Sequence, residues 1–152
     1  MFANMVSRIS LVFGALKHLA DIPPLLFRLT LAYGFYGPAI QKLQNPGNVA
    51  QWFEGLGYPF PLVSAYLAGY TEALGVLLLT IGLATRLISI PLMFVMIVAI
   101  TTVHFKNGFA CGDNGFEIPF YYLLMLFSLF VSGAGRISID AWFSKKYSRA
   151  AP

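Results

Sequence analysis

Residues 61–83 read PLVSAYLAGYTEALGVLLLTIGL, an apolar run interrupted by one charged side chain, Glu72, near its middle. A helix needs about 20 predominantly apolar residues to cross a lipid bilayer. The run is continuous and lacks the alternation of a lipid-facing barrel strand. Because hydrocarbon offers the backbone no hydrogen-bond partners, such a run predicts a transmembrane helix.

Three further segments have the same character, at residues 22–42, 86–105 and 118–134. Hydrophobic residues make up 58% of the chain and charged residues only 11%, with a mean hydropathy of +0.72. An ordinary soluble domain is about 25% charged. We therefore predict an all-α protein, a four-helix transmembrane bundle that forms a single integral membrane domain over residues 1–152.

The segments outside these four runs are expected to lie at the membrane surface. Residues 1–20 look like a short amphipathic lead-in helix. In the connection after the first run, apolar residues recur at helical spacing. They are Val49, Trp52, Phe53 and Leu56. This spacing favours a short interfacial helix in the outer headgroup layer. An irregular loop with membrane-dipping aromatic side chains is the alternative.

The distribution of basic residues predicts the topology. Four spans put both termini on one side, and most Lys and Arg residues lie on that side. They are Arg8, Lys17, Arg28, Arg86, Arg136, Lys145, Lys146 and Arg149, against Lys42 and Lys106 opposite. The positive-inside rule then places both termini, including the tail 141–152, in the cytoplasm of a bacterium, with the chain in the inner membrane. The net charge of +4 fits this topology and anionic lipid headgroups, and we expect no nucleic-acid partner.

Charged residues inside hydrocarbon cost about 2.5–3.5 kcal/mol each on insertion scales, so they are candidates for function. Glu72 lies near the centre of its run, and Arg28 is predicted to be its partner, about 9 Å away in depth at 1.5 Å per residue. One interpretation is a structural ion pair that fixes the register of two helices. The other is a site that orients a polar headgroup or passes a proton.

A second group of polar residues is expected at the outer ends of the helices. It consists of Tyr33, Tyr36, Lys42, His104, Lys106, Glu117 and Tyr121. Together these side chains could line one outward-opening pocket, with His104 as a ligand or proton-transfer group. The alternatives are a purely structural histidine and, for Lys42, a lysine that extends its ammonium to the membrane surface.

The outer connection TTVHFKNGFACGDNGFEIP, residues 101–119, contains two Asn-Gly pairs. The first pair predicts the end of the third helix and the second predicts a turn, because Asn and Gly tolerate left-handed backbone. The single cysteine, Cys111, excludes an internal disulfide. Thiol chemistry and an incidental cysteine both remain open. Copper sites built from Met93, Met96 and His104, or from Cys111 and His104, are weaker alternatives, and we predict no metal site.

Four motifs resemble the DoxX family of small bacterial membrane proteins. They are RLTLAYGFYGPAIQKL (28–43), TEALGVLLLTIGLATRL (71–87), MIVAITTVH (96–104) and GAGRISID (133–140). The pieces AYLAGYTE, TRLISIPLM and NGFEIPFYYLLMLF resemble more closely the subgroup encoded beside copper-associated ribosomal peptides and their maturation proteins. The residues that match the family pattern are Arg28, Gly34, Gly37, Lys42, Glu72, Gly75, Gly82, Arg86 and His104.

The resemblance implies a redox-associated membrane subunit, linked to quinone or thiol chemistry, with Arg28 and Glu72 handling charge or protons at a quinone headgroup. The alternative is a non-catalytic membrane partner of a copper-peptide maturation or export system, with residues 107–116 as its docking surface. A small transporter, which would require a homo-oligomer, is a third and weaker interpretation. Whether the protein is an enzyme stays open.

Overall fold

The computed structural model describes residues 19–148. These residues form six α-helices and no strand, so the all-α prediction is confirmed for this part of the chain. The helices are α1 (Ile22–Gln44), α2 (Pro46–Gly55), α3 (Pro61–Ile81), α4 (Thr85–Ala99), α5 (Glu117–Ser132) and α6 (Ile139–Ser148). The predicted lead-in helix over residues 1–20 lies outside the described residues except for its last two positions.

Prolines and left-handed residues set several helix boundaries. Helices α1, α2 and α3 each have a proline in their first two positions. There the missing N–H costs nothing and the fixed φ suits the helix. Helix α3 ends at Gly82, whose φ of 68° is left-handed backbone that glycine adopts without strain. A short helix is present in the first long connection, as the sequence predicted.

Helix α1 packs on α3, α3 on α4, α4 on α5, and α5 returns to α1, while the short helix α2 lies on α3. Small residues permit these close approaches: Gly34 adjoins Tyr122, Gly69 adjoins Lys42, and Gly75 adjoins Leu92. In apolar surroundings helices associate through such close packing rather than through the hydrophobic effect. The fully buried core side chains include Leu31, Phe35, Leu79, Leu92, Leu126 and Leu129.

Two helical segments, Pro61–Ile81 and Thr85–Asn107, are long and apolar enough to cross a membrane. Glu117–Ser132 is apolar but shorter. Helix α1 has sufficient length, with 23 residues, but it contains Arg28 and Lys42. Large apolar side chains cover the outside of the packed helices, and Leu67, Leu87 and Phe94 are each about two thirds exposed, at 68%, 70% and 67%. A surface of this kind is adapted to lipid or to protein partners rather than to water.

The third predicted helix is not uniform. Residues after Ala99 form a π-helical segment, Ile100–His104, and then a 3-10 turn, Phe105–Asn107. The hydroxyl groups of Thr101 and Thr102 donate hydrogen bonds to carbonyl oxygens one turn back, at 2.9 Å and 2.7 Å. Such side-chain bonds compete with the regular helical pattern. The helical stretch ends at Gly108, with φ 79°, and Asn114 adopts the left-handed conformation that its Asn-Gly pair predicted.

The antiparallel helices give the molecule two ends. We call the end with residues 19–21, 82–84 and 133–148 the terminal end. We call the end with residues 45–60 and 105–116 the distal end. At the distal end the Tyr58 hydroxyl lies 2.7 Å from Thr102 Oγ1, which ties the α2 connection to the π-helical segment.

Candidate functional site

The most buried ion pair in the described part of the chain joins Lys42 on α1 to Glu72 on α3. The Lys42 ammonium donates to both carboxylate oxygens, at 3.0 Å to Oε1 and 2.8 Å to Oε2. The Glu72 side chain is 3% exposed and that of Lys42 is 16% exposed. The pair is therefore removed from solvent on the carboxylate side and reachable on the ammonium side.

The local sequence of α3 makes this contact possible. Gly69 lies one helical turn before Glu72, and a Cβ atom at Gly69 would sit 3.1 Å from Lys42 Cβ. The absence of a side chain lets α1 approach α3 at this level, so the lysine stem runs along the helix surface. Removing two charges from water is costly, and mutual attraction with good hydrogen-bond geometry offsets that cost.

An ammonium group has three N–H donors. Two of the Lys42 donors are directed at Glu72, and no protein acceptor for the third is found among residues 19–148. A polar ligand with a carbonyl oxygen could accept that third hydrogen bond, while Glu72 could accept one from a hydroxyl. The pair thus has the donors and acceptors to hold a small polar group at the edge of a helix pair.

The predicted pairing of Glu72 with Arg28 is wrong. Arg28 is 1% exposed, and its Nη2 donates to the carbonyl of Ile137 at 2.6 Å. Its guanidinium packs directly against Gly82, where a Cβ would overlap Nη1. Nε and Nη1 have no hydrogen-bond partner among the described residues.

The error came from the assumed register of α1 and α3. Lys42 lies beside Gly69, and Arg28 lies beside Gly82 at the very end of α3. Glu72 is ten residues from Gly82, which corresponds to about 15 Å along a helix. Helix α1 begins at Ile22, as predicted, but it lies displaced along α3 toward the terminal end. This displacement brings Lys42 within hydrogen-bonding distance of Glu72.

Arg28 belongs to a polar network that closes the terminal end. Asp140 accepts hydrogen bonds from the backbone N–H groups of Ala84 and Thr85, at 2.7 Å and 3.0 Å, and so caps the first turn of α4. Its own N–H donates to the Gly82 carbonyl at 3.0 Å. The GAGRISID motif thus acts here as a structural connection between three helices.

His104 lies in a third, separate network at the distal end. Its Nδ1 is 2.8 Å from the carbonyl oxygen of Asn114, and the Asn107 side chain donates to the same oxygen at 3.1 Å. Because Leu92 on α4 packs beside Gly75 on α3, the level of Glu72 lies about two and a half helical turns from this network. Arg28, Glu72 and His104 are therefore not brought together.

The remaining residues of the predicted outward-opening pocket lie on two different surfaces. Glu117 accepts a hydrogen bond from the Cys111 backbone N–H at 3.0 Å and one from the Tyr121 hydroxyl at 3.3 Å. The Cys111 thiol is free and exposed. Tyr33 and Tyr36 are 87% and 59% exposed on the outside of α1, so they do not complete a shared pocket with these residues.

Within residues 19–148, no group of three or more His, Cys, Asp and Glu side chains is arranged to hold a metal ion. Met96 is 8% exposed and belongs to the apolar core, and Met93 packs against that core. Both methionines therefore have packing roles, as is usual for this residue on an apolar helix.

Sequence reasoning underestimated Lys42 and missed Asp140. For Lys42, the available signal was a glycine one turn before the buried acid, which allows a long cation on the neighbouring helix to approach. For Asp140, the signal was an acid in the short segment after the last apolar run. Such a residue can reach the free N–H groups at the start of another helix. The sequence around Asp140 does not show which helix that is.

Comparison with known proteins gives relatives over most of the chain. A protein of Haemophilus influenzae is 29% identical over 127 residues, which cover 81% of this chain and 84% of the relative. A Bacillus subtilis protein named "Putative oxidoreductase CatD" is 31% identical over 127 residues, covering 82% and 90%. An "Uncharacterized membrane protein" of Mycobacterium tuberculosis is 32% identical over 141 residues, covering 84% and 86%. No solved structure matches.

The DoxX family model matches residues 24–105, slightly more than half of the chain. This range contains α2, α3, α4 and all of α1 except its first two residues, and therefore both residues of the buried ion pair. The chain is a membrane protein of the DoxX family.

Proposed function

We propose that α1, α3, α5 and the continuous helical stretch from α4 to Asn107 cross the bilayer as a four-helix bundle. The exposed apolar surface of these helices and their ring of contacts support this arrangement. The positive-inside distribution favours a cytoplasmic terminal end. In this topology the chain is a multi-pass protein of the bacterial inner membrane, and the ion pair lies in the outer half of the bilayer.

We further propose that the protein is a redox-associated membrane subunit that holds a quinone headgroup at Lys42 and Glu72. The observation that carries this proposal is the buried pair itself, in which the Lys42 side chain is 16% exposed and its ammonium keeps one N–H for a ligand. Charged groups at membrane depth generally mark substrate or proton pathways. One relative with an activity in its name is called an oxidoreductase.

In this site Lys42 donates a hydrogen bond to a quinone carbonyl, and Glu72 exchanges a proton with the ring oxygen. Reduction of a quinone to the quinol takes up two electrons and two protons. We assign the electrons to two thiols at the distal end, from a small compound or from a redox partner, which form one disulfide and release two electrons and two protons. The protein contributes position, a positive charge beside the ring oxygen and, in Glu72, a carboxyl group that passes a proton to that oxygen.

Quinone binding to the purified chain in lipid nanodiscs tests the proposal. A short-tailed ubiquinone analogue would be titrated into wild type and into Lys42→Met/Glu72→Met, with affinity measured by calorimetry. Replacing a whole buried ion pair by apolar residues of similar volume is often neutral for stability, so this double variant should fold. Loss of two charge-assisted hydrogen bonds should weaken binding at least about tenfold.

Asp21→Asn/Arg136→Gln is the matched control, because it removes the other ion pair of the described chain, at the opposite end. The control variant should bind the analogue as wild type does. Equal affinity in wild type and in the folded Lys42→Met/Glu72→Met variant would exclude a quinone site at this pair.

A second candidate function is that of a partner protein in copper-associated peptide maturation or export. It is favoured by the ordered distal loop, in which Glu117 fixes the backbone beside the exposed Cys111 thiol. On this hypothesis a maturation protein should co-purify with wild type and be lost from a variant with residues 107–116 replaced. Retention of the same partner by that variant would contradict it.

A further inference from the structure

We propose that the terminal end carries a docking surface for anionic phospholipid headgroups, formed by Arg86 at the start of α4 and by Trp142, Lys145 and Lys146 on α6. The proposal depends on the membrane position of this end and is independent of any quinone chemistry. It commits to one occupant, the phosphate-bearing headgroups of the adjoining leaflet.

The charge balance of this surface is the first argument. Arg86, Lys145 and Lys146 are exposed, while the carboxylates of the same end are already engaged. Asp21 binds Arg136, and Asp140 accepts the N–H groups of Ala84 and Thr85. Asp140 lines the same cleft as Arg86, but the two acids of this end are outnumbered by its described basic residues, which are Arg28, Arg86, Arg136, Lys145 and Lys146. The surplus positive charge favours an anion supplied from outside. A basic cluster immediately beside a membrane span is the usual form of an anionic-lipid site.

Helix α6 supplies the second argument, because its aromatic and basic residues lie together. Trp142 is 58% exposed, and the Lys146 ammonium lies 5.2 Å from the centre of its ring. Tryptophan prefers the headgroup level of a bilayer, where its ring meets both apolar chains and polar groups. The pairing holds a positive charge at the depth that the indole ring favours, which is the depth of lipid phosphates.

A cleft beside Arg86 supplies the third argument. It has a volume of about 300 Å³ and is lined by Ala84, Leu87, Gly133, Ala134, Arg86 and Asp140. Arg86 Nη2 donates to the carbonyl of Val131 at 3.1 Å, which holds the guanidinium at the mouth of the cleft. Gly133 leaves room for it, since a Cβ there would be 3.2 Å from Arg86 Nε. The remaining N–H donors of Arg86 can bind a phosphate oxygen.

Lipid retention tests this surface. The chain would be reconstituted in phosphatidylethanolamine vesicles containing phosphatidylglycerol and then extracted, and the bound lipids would be counted by mass spectrometry. Wild type should retain phosphatidylglycerol in excess of its bilayer fraction. Each cation removed, in Lys146→Gln and in Arg86→Gln/Lys146→Gln, should lower that enrichment about fivefold, since a basic residue near the surface contributes about 1 kcal/mol.

Lys106→Gln is the control, because it removes one exposed cation at the distal end. It should leave the enrichment unchanged. If Arg86→Gln does not fold, Lys145→Gln/Lys146→Gln replaces it, since both side chains are exposed. Unchanged phosphatidylglycerol enrichment in the folded α6 variants, or an equal loss in Lys106→Gln, would overturn the proposal. Either result leaves the quinone hypothesis unaffected, because lipid counts do not depend on quinone binding.

Discussion

The two ion pairs of the described chain contrast in almost every physical respect. Lys42–Glu72 joins two packed helices, with side chains 16% and 3% exposed. Asp21–Arg136 joins two connecting segments at the terminal end, with the arginine 67% exposed and the aspartate 16%. Both have good geometry, at 2.8 Å and 2.6 Å. Distance alone therefore does not distinguish a functional site from a surface contact.

Burial makes the difference. In the Asp21–Arg136 pair, water solvates the largely exposed guanidinium, so the interaction adds less to stability. For the buried pair, each charge depends on the other, and removal of one leaves the second without compensation. A protein that keeps such a pair under an apolar surface maintains a costly group, and this cost is the physical basis for assigning it a function.

Glu72→Leu tests the buried Lys42–Glu72 pair and should produce the largest change in the free energy of unfolding. It leaves the Lys42 ammonium among apolar atoms, so the free energy of unfolding should fall by about 3–5 kcal/mol. Denaturant titration in detergent micelles, followed by circular dichroism, measures this change. Glu54→Leu is the control, since Glu54 is exposed on α2, and it should have little effect. A similar small effect for both variants would show that Glu72 is not buried with a charged partner.

Gly82→Ala should produce the next largest effect, because it disturbs the terminal end without touching either ion pair. Position 82 has φ 68°, and the added methyl group would overlap the Arg28 guanidinium. A loss of about 2–3 kcal/mol is expected in the same unfolding assay. Gly37→Ala is the control, since a Cβ there meets nothing within 4 Å. Equal stability of the two variants would contradict the packing of the Arg28 guanidinium against Gly82.

Asp140→Ala should have a smaller effect, of about 0.5–2 kcal/mol, by removing the acceptor for two N–H groups at the start of α4. Hydrogen–deuterium exchange should show faster exchange at Ala84 and Thr85. Asp113→Ala, at an exposed position of the distal loop, should leave those amides unchanged. Full protection of both amides in Asp140→Ala would contradict the capping role.

The Asp21–Arg136 pair should give the smallest effect and one that depends on pH. The backbone N–H of Arg136, and then its side chain, hold the pKa of Asp21 below its usual range. A lowered folded-state pKa means that the stabilisation is present above the unfolded-state pKa and is lost as pH falls through the folded value. Unfolding temperatures of wild type and Asp21→Asn should therefore differ at neutral pH and converge in acid. A constant difference at all pH values would contradict this assignment.

Much of the architecture could be predicted from hydrophobic pattern and turn chemistry. Long apolar runs gave the helices around residues 61–83 and 86–105, and helical spacing gave α2. The Asn114 turn followed from its tolerance of left-handed backbone. These features depend on local sequence. The π-helical segment was missed because the hydropathy pattern does not show that the hydroxyl groups of Thr101 and Thr102 bond to backbone carbonyls.

The candidate site was predictable in its parts but not in its pairing. The cost of charge in hydrocarbon made Glu72 and Arg28 candidates, and the structure buries both side chains. Their partners depend on how far α1 slides along α3, and a shift of one helical turn changes depth by about 5.4 Å. The packing of Lys42 on Gly69 and of Arg28 on Gly82 marks that register. The separate location of His104 likewise depends on how the helices pack together, which local sequence does not determine.

A double-mutant cycle most directly tests the central claim that Glu72 is coupled to Lys42 and not to Arg28. Unfolding free energies would be measured for Glu72→Leu combined with Lys42→Met and, separately, with Arg28→Met. Side chains in one buried pair should show a coupling of about 2 kcal/mol or more, whereas distant sites add to within about 0.5 kcal/mol. We expect strong coupling for Lys42 and additivity for Arg28. Strong coupling of Glu72 to Arg28, with additivity for Lys42, would contradict the site described above.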